Sequence, residues 1–416
     1  MQQKAHDLFA EKTGAGADHD QVVRLFHHAF MHENALNPAI FPSLRRFETE
    51  TIAMTAAMLN GDDQVVGSLT SGGTESILMA MKTYRDRARK LFPQIKNPEM
   101  VAPITIHPAH EKAAHYFGFT IVHVPVGKDF KPDIDAYEEA ITPRTIALLC
   151  SAPQYCQGIV DPIEQISEIA VRRCLPMHVD ACFGGFMLPW VEKLGYPMPK
   201  FDFRVPGVTS ISADIHKYGY GAKGASVVLY RNEDIRRYQI FAYSQWPGGL
   251  FGSPSMAGTR PGGNIAAAWV ALKAMGQDGY MKMAKQLMET TVLLKDAINA
   301  IPGLCILGKP QMTSFSIGSN DPEMNILALA DVMEETGWKM ERQQLPDSLH
   351  CSIMPHHTAI ADQLIADLTN AAKRVKGNKE LAKKGTAAMY GMVGQIPDKS
   401  LIDDFIVNFF SEMYKA

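Results

Sequence analysis

TIALLCSAPQYCQGIVDPIEQISEIAVRRCLPMHVD, residues 145–180, is the stretch on which the fold turns. Short apolar runs at 145–150 and 175–180 read as strands, and IEQISEIAVRRC between them, 163–174, reads as a helix. Runs of the same kind at 208–213 and 225–230 continue the pattern. Strands alternating with helices imply an α/β fold, a mainly parallel sheet covered by helices on both faces. Upstream, GSLTSGGTES (67–76) is a glycine-rich turn. It opens a helix with Ile77, Leu78, Met81, Tyr84, Ala88 and Leu91 at helical spacing. Residues 1–60 look mostly helical, with Pro38 and Pro42 in a turn. Downstream, RPGGNIAAAWVALKAM (260–275) starts a long helix leading out of the large body. After about residue 290 the order helix, TSFSIGS, helix, LHCSIMP, helix suits a smaller α+β lobe. The expected division is an N-terminal helical segment (1–60), a large domain (61–290) and a C-terminal small domain (291–416).

A chain of 416 residues, 46% of them hydrophobic, is long enough for a large core and too long for most single ones. The formal net charge of −3, without a long basic run, gives nucleic-acid binding no electrostatic support. Cys150, Cys156, Cys174, Cys182, Cys305 and Cys351 form no C-x-x-C pair and suggest neither a disulfide framework nor a zinc site, so a reducing compartment is expected. The start MQQKAHDLFAEKTG lacks a basic head followed by an apolar stretch, and no run approaches the roughly 20 apolar residues that span a bilayer. A soluble, cytoplasmic protein is therefore expected, reaching any membrane-bound substrate from the aqueous side. Repeats and low-complexity tracts are not seen.

Four groups carry chemistry. Lys217, in Ile215-His216-Lys217-Tyr218 just after a strand, is a candidate Schiff-base former. Burial lowers a lysine pKa, and a neutral amine is what attacks an aldehyde; the plain alternative is a surface lysine. Asp180 ends a buried strand, where ligands of open α/β sheets bind. So apolar a setting demands a partner, which a protonated pyridine nitrogen would supply; the plain alternative is a turn cap. Ser71-Gly72-Gly73-Thr74-Glu75 stands at a helix start, where small residues let backbone N–H groups converge on an anion; an ordinary N-cap would look similar. His107 in TIHPAHEKAA offers a planar ring for stacking, or is a loop histidine satisfied by the backbone. Order and spacing add what single motifs lack, since all four fall at strand ends or helix starts along one sheet edge.

TSGGTESILMA (70–80), HVDACFGGF (178–186), SISADIHKYGYGAKGASVVLY (210–230) and SPSMAGTRPGG (253–263) resemble the pyridoxal-5′-phosphate (PLP) dependent sphingosine-1-phosphate lyases, in the wider group II decarboxylase family. The likeness runs from about Asn34 to AAMYGMVG (387–394). It implies a fold type I, PLP-dependent transferase-like architecture with PLP bound in the large domain. The implied substrate is a phosphorylated long-chain amino alcohol, whose C2–C3 bond is cleaved to a long-chain aldehyde and phosphoethanolamine. Lys217 would hold PLP as a Schiff base, Asp180 would pair with the pyridine nitrogen, His107 would stack on one ring face and Cys182 would pack near the other. Gly73, Thr74, Ser212 and His216 would hold the cofactor phosphate. Ser253 would complete that cup from the partner subunit of a homodimer with shared active sites. Tyr155 and Lys223 would contact the substrate phosphate. The base that takes the hydroxyl proton stays open between Lys217, His216 and a substrate phosphate oxygen.

Two departures fall at the phosphate end of the substrate. The family's N-P-L-H stretch reads N-A-L-N here, ending in Asn37, and its N-terminal tyrosine has no counterpart before Tyr84. Other features have plain readings. His28 and His32, at i, i+4, lack a third metal ligand and suit a solvated face, so no metal is expected. Met275, Met281, Met283 and Met288 suit core filling, and Arg260 orients a loop or makes a structural salt bridge. Two other functions are kept: an amino-acid decarboxylase on the same fold, and a catalytically silent PLP-fold binding module. Lys223 favours the lyase over the first, because a phosphate head group needs a cation; intact Lys217 and Asp180 argue against the second.

Overall fold

The computed structural model describes residues 15–395 and 400–415, with side chains from 391 to 395 excepted. Residues 1–14, which head the expected N-terminal helical segment and were read for a leader, lie outside the described residues. The same holds for the side chains of Gly391, Met392, Val393 and Gly394 in the AAMYGMVG stretch.

The described chain divides into two compact units. The first contains the residues up to 291 together with 308–314 and 353–358; the second contains 292–307, 315–352 and the residues from 359 onward.

In the first unit, β1 (Val66–Thr70), β2 (Glu99–Pro103), β3 (Thr120–Val124), β4 (Thr145–Ser151), β5 (Met177–Asp180), β6 (Val208–Ala213) and β7 (Ser226–Tyr230) form one sheet. Their order is β1-β7-β6-β5-β4-β2-β3. The pairs β3/β2, β2/β4, β4/β5 and β5/β6 are parallel. Only β7 runs backward, antiparallel to both β6 and β1. Every residue of β4 and β5 is buried, as strands covered on both faces require. The helix Gly73–Leu91 packs over β6 and β7 and buries Ile77, Leu78, Met81, Tyr84 and Ala88. Leu91, the last residue of that stripe, is exposed. The helix Ile163–Arg172 fills the expected crossover between β4 and β5.

A hairpin of β8 (Phe241–Tyr243) and β9 (Phe251–Ser253) follows, with Phe241, Tyr243, Trp246 and Leu250 exposed. The long helix Gly262–Ala300 is broken at Gly276, whose φ of 56° is outside the helical region. Met283 and Met288 are core residues.

The smaller sheet, ordered β10-β11-β13-β12, consists of β10 (Leu304–Ile306), β11 (Ser314–Ser319), β12 (Glu341–Gln343) and β13 (Ser348–Ser352). In the second unit the helix Ile326–Glu334 buries Leu329, Val332 and Met333, and Arg342 pairs with Asp331 and Glu334. Among the described residues no helix is long and apolar enough to cross a membrane.

Candidate active site

Parallel β4, β5 and β6 end along one edge, and their register sets Ser151 beside Asp180 and Asp180 beside Ser212. The turns leaving those ends, with the Ser71–Glu75 turn after β1, wall a cavity of about 430 Å³. Gly73, Thr74, His107, Tyr155, Asp180, Cys182, His216 and Lys217 all line it. Sequence order alone had put these residues at strand ends and helix starts; register gathers them.

Lys217 is half-buried, with its Nζ 2.9 Å from Asp214 Oδ2 and 5.3 Å above the Phe183 ring. The expected lowering of its pKa is not found. Burial opposes the charge, but Asp214, helped by Asp180, carries the lysine above its usual value. Asp214 is itself held down to about 2: burial would raise it, but His216 and Lys217 outweigh that. Asp214 and Phe183 were missed in the sequence. Asp214 stands three residues before Lys217, on a turn where Lys217 N donates to Asp214 O, and that spacing was the available signal. Phe183 meets Tyr155 and Tyr218 edge-on, with centroids 6.0 and 5.5 Å away.

Asp180 is buried, and its Oδ1 accepts from Cys182 N–H at 3.0 Å and from the Ser212 hydroxyl at 3.3 Å. Burial would raise its pKa, yet its surroundings, the Cys182 N–H donor among them, bring it below the usual carboxylate range. The carboxylate is therefore ionised. His107 Nδ1 accepts from Ala109 N–H at 3.1 Å, which fixes the ring at the start of the helix Ala109–Phe117. The buried Cys182 thiol, its pKa pushed far up by desolvation, meets Ser212 Oγ at 3.2 Å.

The helix Gly73–Leu91 starts at the cavity wall. A Cβ on Gly73 would lie 2.8 Å from the Asp214 carboxylate oxygens and from Cys182 Sγ, so only glycine fits. Glu75 ties the turn down: it accepts Ser71 N–H at 2.7 Å and Met256 N–H at 2.9 Å.

Lys223, Asn37, Arg260 and Ser253 sit apart from the wall. Lys223 is exposed and donates to His216 O at 2.9 Å. Asn37 is exposed, its side chain accepting from Ala39 N–H at 3.1 Å. The stretch before it is fastened to the loop ahead of the long helix, for Asn34 accepts from Arg260 N–H and Ala35 N–H donates to Arg260 O. Arg260 makes a salt bridge with Glu48, as one of its two readings had it. Ser253 is buried in β9 and bonded to Ser255 O and Ala257 O, beside a different cavity. Both ring nitrogens of His216 are engaged within the chain: Nδ1 accepts from Ala225 N–H at 3.2 Å and Nε2 faces Asp214 at 3.4 Å. His28 and His32 are exposed, and no group of three metal-ligating side chains occurs among the described residues.

These walls fit PLP. An amine is available for its carbonyl, an ionised buried carboxylate for its ring nitrogen, a fixed imidazole for a ring face, and a helix start cleared of side chains for its phosphate.

Comparison with known proteins agrees. The family model described as the pyridoxal-dependent decarboxylase conserved domain matches residues 28–316. The chain is 45% identical over 390 residues to sphingosine-1-phosphate lyase 1 of Rattus norvegicus, covering 93% of this chain and 68% of that protein. It is similar to the solved structure of a sphingosine-1-phosphate lyase from Burkholderia pseudomallei, with TM-score 0.84 and 40% identity, covering 92% of this chain and 88% of that one. A glutamate decarboxylase of Lactobacillus brevis shares the fold, with TM-score 0.75 and 20% identity over 85% of each chain.

Proposed function

The chain belongs to the pyridoxal-dependent decarboxylase family and, within it, to the sphingosine-1-phosphate lyases, and on that premise we propose that it is an aldehyde-lyase acting on sphingosine-1-phosphate-like phosphorylated long-chain bases. It cleaves their C2–C3 bond to give a long-chain aldehyde and phosphoethanolamine. The observation that carries this reading over decarboxylation is the likeness to lyases along nearly the whole chain, against a likeness of fold alone to the decarboxylase structure.

When bound, PLP supplies an electron-poor pyridinium ring that accepts the electron pair left on the amine-bearing carbon. Lys217 provides the amine for its carbonyl, and Asp214 holds the ammonium proton whenever that amine is free. Asp180 would pair with the ring nitrogen, His107 would stack on one ring face and Cys182 would pack near the other. Gly73, Thr74 and His216 would hold the phosphate, while Ser212, also expected there, spends its hydroxyl on Asp180. At the substrate's phosphate, Tyr155 donates from the cavity wall, with Lys223 supplying charge and Asn37 standing where relatives carry histidine. In the cleavage the hydroxyl proton passes to a base, the C2–C3 bond breaks, and the amine-bearing carbon later regains a proton. Of the three groups named for the first transfer, Lys217 is held as an ammonium by Asp214 and both His216 nitrogens are engaged, which favours a substrate phosphate oxygen.

The protein works as a cytoplasmic homodimer with shared sites, Ser253 serving the neighbour's phosphate cup. Its aromatic, exposed β8–β9 hairpin supports this assembly. The cofactor sits in a 61–290 domain, between an N-terminal segment (1–60) and a small domain (291–416). A fully active monomer in sedimentation would overturn the shared site.

Product analysis tests the activity. Incubation with sphingosine-1-phosphate should yield long-chain aldehyde and phosphoethanolamine. Release of carbon dioxide from glutamate or aromatic amino acids, without aldehyde from the phosphorylated base, would replace the lyase with a decarboxylase.

A further inference from the structure

Behind Asp180 a file of polar side chains runs through the core. β5 and β6 pair His178 with Ser210 and Asp180 with Ser212. Period-two alternation therefore brings all four to one face of the sheet. The helix Gly73–Leu91 crosses that face and lowers Tyr84 onto it. The contacts are continuous: Tyr84 OH to Ser210 Oγ, Ser210 Oγ to His178 Nδ1 at 2.7 Å, His178 Nε2 to Ser212 Oγ at 3.3 Å, and Ser212 Oγ to Asp180 Oδ1 at 3.3 Å. Tyr84, Ser210, His178 and Ser212 are all at most 1% exposed.

The direction of the protons from Ser212 to Ser210 follows from the end of the file. An ionised carboxylate only accepts, so Ser212 spends its one hydrogen on Asp180. His178 then donates from Nε2–H. A neutral imidazole has a single N–H, so its bare Nδ1 takes the Ser210 hydrogen, and the one Tyr84 hydrogen is shared between Ser210 Oγ and Thr209 Oγ1, 2.8 Å away. Burial pushes the His178 pKa down to about 3, which matches a neutral ring. Ser212 also accepts from the Cys182 thiol, so its hydrogen-bonding capacity is filled. Apolar side chains would pack this interface without desolvating four polar groups, so packing alone does not explain the file.

We propose that Tyr84, Ser210, His178 and Ser212 form a positioning relay that aims its donors at Asp180, keeps that carboxylate ionised, and so sets the protonation of the cofactor's ring nitrogen. The relay rests on the reading of Asp180 as the partner of that nitrogen. It acts through Asp180 and touches neither substrate nor ring.

The test uses holoenzyme reconstituted with cofactor labelled with nitrogen-15 in the ring, observed by NMR beside steady-state kinetics. The wild type should show a protonated ring nitrogen. Tyr84→Phe removes one hydroxyl and keeps the ring in the core. It should move the resonance part of the way toward neutral pyridine and lower kcat roughly threefold with KM unchanged. His178→Leu should move it further and lower kcat about tenfold or more. Should His178→Leu not fold, Tyr84→Phe decides. An unmoved resonance in the folded variants overturns the relay, whatever the rates do. An unprotonated nitrogen in the wild type removes both the Asp180 reading and the relay. If the resonance moves as expected while product analysis finds a decarboxylase, the relay stands and the lyase falls.

Discussion

Asp180 and Lys223 are both charged residues singled out by their sequence setting, and the fold treats them in opposite ways. Asp180 sits at the end of an interior strand, with Ser151 and Ser212 as register partners and donors supplied by Cys182 N–H and Ser212. Lys223 sits in an exposed turn, holding a backbone carbonyl instead of lining the cavity. The cofactor end is positioned by strand pairing, which is rigid and local to one sheet. The substrate end is positioned by turns and by whatever those turns meet. Substitutions at the two ends should therefore differ in kind as well as in size.

The largest effect is expected at the cofactor end. Lys217→Ala should abolish turnover, because Lys217 is the amine on the cavity wall, while the protein still folds and binds PLP noncovalently. Borohydride treatment and peptide mapping should fix the cofactor to Lys217 in the wild type and to nothing in the variant. Attachment to another lysine would move the site.

Lys223→Met should leave cofactor absorbance intact and slow turnover of the phosphorylated substrate roughly ten- to a hundredfold, the scale of one charged hydrogen bond. The dephosphorylated substrate should be little affected. Equal slowing of both would make Lys223 a structural residue of its turn and erase the contrast with Asp180.

The smallest effect is on stability and isolates the buried side of the contrast. The His178 pKa is about 3 when folded, against about 6.5 for an exposed imidazole. Between those values the unfolded chain carries a proton that the folded one refuses, so this residue's contribution to stability falls as pH drops through that window, by about 1 kcal/mol per pH unit. Asp161 works the other way. Burial raises its carboxyl to about 7, so the folded state holds that proton and loses stability as pH rises toward 7. The useful quantity is thus a difference: urea unfolding of His178→Leu between pH 4 and 6 should show a pH slope more negative, or less positive, than the wild type's by about 1 kcal/mol per unit. Equal slopes would mean that His178 titrates normally.

What the sequence disclosed follows the same divide. β4 was legible because an interior strand is largely apolar, whereas β5 and β6 are buried yet mix apolar residues with His178, Asp180, Ser210 and Ser212. β3, at the sheet edge, exposes Thr120 and His123 between apolar residues, and so short a mixed run leaves little signal. Asp180, Lys217 and the glycine-rich turn stood out because each breaks its surroundings. Asp214 did not, since an acid in a turn is ordinary until folding sets Lys217 against it. The His178 file was equally hidden, because an imidazole in a strand gains meaning only from the strand beside it. For Ser253 and Asn37, local bonding within one chain accounts for both side chains, and nothing in their own neighbourhoods distinguishes them.

The single reversed strand bears on how far the reactive amine can travel. A parallel partner for β6 would need a crossover carrying the chain back to the opposite end of the sheet, commonly helical. With β7 running back, residues 214–225 only join two neighbouring strand ends, and His216 N to Ala225 O, with Gly221 N to Ile215 O, stitches the join closed. Lys217 is thus on a short leash. Its backbone is anchored on both sides, and its Nζ has only the swing of a four-carbon stem. Exchange at this site is then a matter of side-chain rotation, small in amplitude.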